Sequence, residues 1–383
     1  MTECVHGYAE GYYGRLFTWD ERRRLIDTLS SNGQNTYYYA PKEDTLHRWQ
    51  WRAAYSDLWL DEFSTFCTYA TKHDVSVVAG VAPGLDFNFK DLPDGPDYQA
   101  LSNKSRALLD AGADHLSLLL DDIDEDFHNR CGRFSSEGQA HATLANALAD
   151  ELDISIWVTP RVYADELIIS DIAYLPEFLE TLEESHIVLY CGSDVVSKHA
   201  SVRSLQTLCN AQSQCRTRQT VLWDNLYAND YCPRRLFVGP WQGRAGISNV
   251  LLNPTGMIHT DSLLLDLMAA HNGLVDNSIE AIDAWRTVLI RHGVPDSFFE
   301  LAPYFYHPVF NSHKDPSLPI ATSATFDAIE HCLWRWKKPL AREWYAYIFG
   351  LKHDLLAEQN RLSEDRIRKT QTAPLAQTLL RLT

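Results

Sequence analysis

The sequence predicts an α/β protein: a (β/α)8 TIM barrel followed by a C-terminal helical domain. Three observations carry that expectation. Eight short apolar, sheet-forming segments recur through the first two-thirds of the chain, at spacings of roughly 30 to 40 residues. Amphipathic helical patterns lie between them, and crossover helices imply parallel strands. Polar, chemistry-bearing residues gather just after the strand segments, the end at which parallel barrels build their active sites. An open doubly wound sheet is the alternative, but the first strand-to-helix turn, "EGYYGR", has no GxGxxG phosphate loop.

The strand segments, in order, are "VHGYAE" (5–10), "NTYYYA" (35–40), "VSVVAGV" (75–81), "HLSLLL" (115–120), "DISIWV" (153–158), "HIVLYC" (186–191), "TVLW" (220–223) and "ISNVLL" (247–252). The first crossover helix is "TWDERRRLIDTLSS". Thr18 opens it and Glu21 follows three residues on, the signature of a capping box. "SSEGQAHATLANALADEL" is another, with Ser136 ahead of the helical run. Eight such units in about 250 residues fit a closed barrel, placed at 1–275. From Asp276 the pattern changes. "SIEAIDAWRTVLIRHG" is helical and ends on Gly293, a residue suited to a C-cap. "SATFDAIEHCLWRWKKPLAREWYAYIFGLKHDLLAEQ" continues the helical period, with Phe326, Ile329, Leu333, Trp336 and Leu340 near one face. A helical domain is expected over 276–383, joined through the Pro- and aromatic-rich "APYFYHPVFNSHKDPSLP".

Composition narrows the function. The formal net charge of −17 disfavours nucleic acid and anionic membranes as partners, and no Lys/Arg cluster offsets it. No apolar run reaches the ~18 residues of a membrane span. The N-terminal "MTECVHGYAEGYYG" lacks the basic and apolar regions of a signal peptide, so a cytoplasmic location is expected. The eight cysteines are scattered. Cys209 and Cys215 are the closest pair, and no CxxC or CxxH spacing marks a structural zinc. Reduced thiols fit that compartment.

"HLSLLLDDIDEDF" then stands out, because an apolar strand runs directly into Asp121 and Asp122. Adjacent strand residues point to opposite faces, so both carboxylates reach one pocket only where the strand ends or bends. One reading gives the pair different tasks, one ionised and the other held protonated by its neighbour. A second makes them solvated loop acids, with Asp121 capping the next helix. A third binds Mg2+ or Ca2+ through Asp121, Asp122, Asp124 and Asp126, although the spacing does not match an EF-hand loop. "WDNLYAND" places Trp223, Asn225 and Asp230 within eight residues, an aromatic platform beside amide and carboxylate groups that suits a sugar. Lys42 in "YAPKED" follows an apolar strand and is expected to face the pocket. Tyr12 and Tyr13 lie between Gly11 and Gly14, and the glycines allow close backbone approach to a ligand.

"EGYYGRLFTWDERR", "NTYYYAPKEDTLHRWQWR", "LSLLLDDIDEDF", "VLWDNLYANDY" and "LLNP", in this order over roughly residues 5–255, resemble family 84 glycoside hydrolases, the O-GlcNAcases and related β-N-acetylglucosaminidases. The resemblance implies a barrel that hydrolyses β-linked N-acetylglucosamine with retention and without a cofactor or metal. The attacking group is the substrate's own 2-acetamido oxygen, and an oxazoline forms. Asp121 would orient the acetamido N–H, and Asp122 would be the general acid and then the base. Gly11, Tyr13 and Lys42 would line the sugar site. Tyr163 in "TPRVY" would lie near the acetamido group, Val195 at the pocket mouth, and Trp223 on the acetyl group. Asn225 would bond near the acetamido, Asp230 would grip the 4- and 6-hydroxyls, and Asn253 would add a hydroxyl contact. "PRVY" departs from the family pattern, and "PKED" stands where "PKDD" is more usual. The partner implied is a β-GlcNAc-bearing protein or glycoside. A homodimer through the helical domain is the family's precedent. A silent sugar-binding scaffold and a metal-dependent hydrolase are the other classes of reading.

Overall fold

The structure, a computed structural model, describes residues 4–123, 126–170, 172–200, 219–232, 234–306, 318–359 and 361. Eight parallel strands close into a barrel in sequence order: β1 (His6–Glu10), β2 (Thr36–Tyr39), β3 (Ser76–Val81), β4 (His115–Leu119), β5 (Trp157–Thr159), β6 (Ile187–Tyr190), β7 (Thr220–Asp224) and β8 (Val250–Leu252). The seam between β8 and β1 is in register, with His6 beside Val250 and Tyr8 beside Leu252. The crossover helices include α1 (Trp19–Ser31), α2 (Asp57–Thr71), α3 (Pro96–Asp110), α4 (Glu137–Leu152) and α5 (Tyr174–Thr181), and α6 (Ile258–His271) follows β8.

The capping box at Thr18 forms. The Thr18 hydroxyl accepts from the Glu21 amide at 3.2 Å, and the Glu21 carboxylate accepts from the Thr18 amide at 2.9 Å. Ser136 caps α4 by accepting from the Gln139 amide at 3.2 Å.

Strands of a parallel barrel are buried on both faces, which is why "TYYY" in β2 is buried throughout. Alternation sorts its three tyrosines. Tyr38 enters the barrel core with Leu119, Trp157 and Trp223. Tyr37 packs outward on Phe66 of α2, and Tyr39 on Trp59 and Phe63. The interior layer comprises Val5, Ala9, Tyr38, Ala40, Val78, Leu119, Leu189, Cys191, Val221, Trp223 and Leu251, among others. These residues set the inward parity of each strand.

Three expectations shift. "ISNVLL" is strand only over its second half, since β8 starts at Val250. "DISIWV" is not strand over its first half: Asp153 ends α4 in the left-handed region at φ 53°, and β5 starts only at Trp157. The long C-terminal helical run is two helices, α9 (Ser323–Trp334) and α10 (Pro339–Glu358). Pro339 cannot continue a helix, and it forces Lys338 into extended backbone at φ −127° and ψ 159°. Before them come α7 (Ile279–Arg291) and a short α8 (Phe298–Leu301). Ile329, Leu333, Trp336 and Leu340 are buried there, and Phe326 is half-buried.

The chain divides into two compact units. One holds Met1–Tyr231 and Pro240–Trp285, and the other Cys232–Gly239 and Arg286–Thr383. Among the described residues, no helix is long and apolar enough to cross a membrane. Cys209, Cys215 and most of the connection after Tyr306 lie outside the described residues.

Candidate active site

The site is assembled by strand parity. Ala9, Tyr38, Leu119, Trp223 and Leu251 point into the barrel. Two or four residues further on, with the same parity, stand Gly11, Lys42, Asp121, Asn225 and Asn253. All five lie beyond or at the C-terminal strand ends, so one face of the barrel carries them.

Asp122 has the wrong parity for that pocket, and its backbone corrects it. It adopts φ 52°, a left-handed conformation uncommon for a residue with a side chain. The chain thereby bends just past β4, and both carboxylates reach the same cluster. Asp121 takes the inward place. Its Oδ2 accepts from buried Lys42 Nζ, and its Oδ1 is buried with no hydrogen-bond partner among the described residues. Asp122 is held differently. Tyr163 donates its hydroxyl to Oδ1 at 2.7 Å, Tyr13 donates to Oδ2 at 3.0 Å, and Lys42 Nζ lies 3.8 Å from Oδ2. Burial first, and Asp122 next, push both tyrosine hydroxyls well above their usual pKa. They therefore remain protonated donors across the neutral range. The Tyr13 amide donates to Asp230 Oδ2 at 2.9 Å. Burial raises the Asp230 carboxyl, and Asp122 adds to that shift.

A second group lies beside the first. Asn225 Oδ1 accepts from Trp223 Nε1 at 3.0 Å and from Asn253 Nδ2 at 2.9 Å. Asn225 Nδ2 donates to the Val195 carbonyl at 2.9 Å. Asn253 Oδ1 accepts from the Gly11 amide at 3.2 Å. Gly11 allows that approach, since a Cβ there would lie 2.2 Å from the Trp223 ring. Beneath the cluster, Tyr38 meets Trp223 edge to face at 5.3 Å. Each residue expected at the site falls into one of these two groups, which join through the short span from Gly11 to Tyr13 after β1.

Such an arrangement offers one sequestered carboxylate with an open acceptor oxygen, one half-exposed carboxylate held by hydroxyl donors, and a wall of indole and amides. Among the described residues, no cluster of three His, Cys, Asp or Glu side chains is placed to hold a metal. Asp124 lies outside the described residues.

A family model described as NAGidase, beta-N-acetylglucosaminidase, matches residues 6–289, well over half of the chain. The chain belongs to the beta-N-acetylglucosaminidase family. Protein O-GlcNAcase of Mus musculus is 32% identical over 263 residues, which are 65% of this chain and 28% of that relative. The Rattus norvegicus protein gives the same identity and coverage. The matching stretch thus spans less than a third of these relatives. The solved structure of CpGH84B superposes with a TM-score of 0.66 at 25% identity, over 86% of this chain and 57% of that one. A variant of Thermobaculum terrenum O-GlcNAc hydrolase gives 0.68 at 21% identity, over 79% and 65%, a likeness of fold. The family is the one its sequence motifs resemble.

Within this beta-N-acetylglucosaminidase fold, two supports escape a reading of the sequence. Asp224 sits between Trp223 and Asn225 and faces away from the pocket, as alternation requires. It is buried and grips Arg244, with Arg244 Nη2 to Oδ1 at 2.7 Å and Nε to Oδ2 at 2.9 Å, while Trp241 Nε1 adds 2.8 Å. Its parity was legible, but its partners lie about 20 residues on, beyond the reach of local patterns. The second is Arg48, six residues past Lys42 in "PKEDTLHR". Its side chain donates to the main-chain carbonyls of Asp121 and Asp122.

Proposed function

We propose that the protein is a retaining exo-β-N-acetylglucosaminidase acting by substrate assistance, with β-linked GlcNAc on Ser or Thr of proteins as its substrate. The observation that carries this reading is the unequal setting of the two adjacent carboxylates. Asp121 has one oxygen fixed on Lys42 and the other buried without a donor among the described residues, which costs about 1–3 kcal/mol unless a ligand N–H fills it. An acetamido N–H is such a donor. Held there, the acetamido carbonyl oxygen attacks C1 as the bond from C1 to the leaving oxygen breaks. Asp122 gives its proton to that oxygen. The acetamido N–H proton is taken up by Asp121 as the oxazoline forms. Water then attacks C1, Asp122 takes its proton, Asp121 returns its proton to the nitrogen, and the ring opens to the acetamide. No enzyme nucleophile is needed, so the carboxylate spacing of covalent retaining enzymes does not apply.

Trp223 and Asn225 would enclose the acetyl group beside Tyr163 and Val195. Asp230, Asn253, Gly11 and Lys42 would meet the hydroxyls. Tyr13 and Tyr163 steady Asp122 during both proton transfers. The protein-linked substrate is supported by the name of the mammalian relatives, Protein O-GlcNAcase.

The test is release of a fluorogenic phenol from its β-N-acetylglucosaminide, run with and without EDTA, followed by release of GlcNAc from a glycosylated peptide. Turnover unaffected by EDTA is expected on both. Absence of turnover would remove the enzymatic reading, and loss with EDTA would favour a metal at the acidic cluster.

A further inference from the structure

The left-handed turn at Asp122 needs something to hold it. For an L-residue that conformation costs roughly 1–2 kcal/mol, less for Asp than for most side chains. The two tyrosine hydroxyls act on the carboxylate, not on the backbone. The group acting on the backbone is Arg48. Its guanidinium is buried, with Nη2 donating to the Asp122 carbonyl at 2.5 Å and Nη1 reaching the Asp121 carbonyl at 3.4 Å. Among the described residues, no carboxylate oxygen lies within 4.0 Å of an Arg48 nitrogen. A buried guanidinium is ordinarily paired with an acid. Here its charge is directed at two successive peptide carbonyls, and its Nε is buried without a partner among the described residues.

We propose that Arg48 is a positioning residue for proton donation: its two-pronged grip on the carbonyls of Asp121 and Asp122 fixes the peptide turn that aims the Asp122 carboxyl at the leaving oxygen. This rests on the glycosidase reading given above. The two members of the pair depend on Arg48 unequally. Asp121 is inward by strand parity and is anchored by Lys42, so it keeps its place without Arg48. Asp122 reaches the cluster only through its turned backbone. Loss of the grip lets the turn relax toward extended conformation, which swings the carboxylate away from Tyr13 and Tyr163. Sugar binding and the acetamido attack are then preserved, while protonation of the leaving group suffers.

The charge and the fork are separable. Lysine keeps the charge but offers a single point donor on a different geometry, and it cannot bridge two carbonyls as a planar guanidinium does. The experiment compares wild type, Arg48→Lys and Arg48→Gln on two β-N-acetylglucosaminides, one with a dinitrophenol leaving group and one with an alkyl alcohol or serine peptide. Thermal melting and binding of free N-acetylglucosamine are measured in parallel. General acid catalysis is worth about 10²–10⁴-fold for a poor leaving group and little for an activated one. Both variants are therefore expected to lose about 30-fold or more in kcat/KM, which reports departure of the leaving group, on the alkyl or peptide glycoside. They should lose less than about 5-fold in kcat/KM on the dinitrophenyl glycoside, with affinity for the free sugar within about threefold of wild type. Equal losses on both substrates would overturn the proposal. So would an Arg48→Lys variant with wild-type turnover of the poor leaving group. If Arg48→Gln does not fold, the lysine variant decides alone. Wild-type protein inactive on both glycosides would sink the glycosidase reading instead.

Discussion

Asp121 and Asp122 are the same side chain one peptide bond apart, and one lies deep against Lys42 while the other is held by two phenols. Parity puts the first in the barrel, and φ 52° brings the second round to meet it. Their replacement should therefore have different signatures. Asp122→Asn keeps a residue type that tolerates left-handed backbone, so the loss is chemical. Its turnover should fall steeply for poor leaving groups and little for an activated phenol, read as the slope of log kcat/KM against leaving-group pKa. Asp121→Ala removes the acceptor for the acetamido N–H, and misorienting the attacking group should lower kcat by about 10²-fold or more for every leaving group. A uniform loss in the Asp122 variant, or a near-normal rate in the Asp121 variant, contradicts these assignments. Lys42 and Asp121 were legible from their place after apolar strands, and Asn225 and Asn253 through the family resemblance; alternation is the physical reason that all four face one pocket. The turn at Asp122 was legible only as a need, since a dihedral angle leaves no mark in residue type beyond the tolerance of Asp for it.

Elements with their own punctuation read correctly. Thr18 with Glu21 and Ser136 marked the starts of α1 and α4 because a cap is a local exchange between a side chain and nearby amides. β5 read poorly at its start. Ile154 and Ile156 have sheet character, but Asp153 ends α4 in the left-handed region and the Ile154 amide still bonds back to the Ala149 carbonyl at 3.1 Å. The division of α9 from α10 was legible at Pro339, yet the continuous apolar period across it concealed the break. Helix α4 also carries a pH response. Burial, with Arg161 next, lowers His141 to about 3, and burial with Lys42 next lowers His47 to about 3. Unfolded histidine titrates near ~6.5, so between these values the unfolded chain binds more protons than the folded one. The stability that these neutral imidazoles contribute is complete above about pH 6.5 and is lost as pH falls toward 3. Melting temperature should decline across that interval. In His141→Gln the decline should be shallower, although the starting stability is lower because the 2.9 Å hydrogen bond between His141 Nδ1 and the Tyr174 hydroxyl is lost. An unchanged slope in the variant would show that His141 does not contribute.

The closed sheet converts eight separate strand ends into one address, and that is why motifs more than 200 residues apart, at Gly11 and Asn253, meet at 3.2 Å. The whole-chain charge acts on this address from outside. At −17, the protein should favour glycosylated peptides with basic residues over matched acidic ones at low ionic strength. KM for the two should converge as salt shortens the Debye length to ~3 Å near 1 M. Equal KM values at low salt would show that the field at the pocket is not that of the chain as a whole. The division of the chain into units could not be read locally, because residues 232–239 group with the C-terminal segment although barrel residues flank them on both sides. That excursion departs just after Asp230 and ends shortly before Arg244, whose buried pair with Asp224 ties the two ends of the stretch inside the first unit. Leu236, Phe237 and Val238 are buried, and the Val238 amide donates to the Phe305 carbonyl at 3.0 Å, so this stretch is core of the second unit. Change in 232–239 therefore answers to the packing of the helical unit, while the pair at its base leaves Asn225 and Asp230 to answer to the sugar.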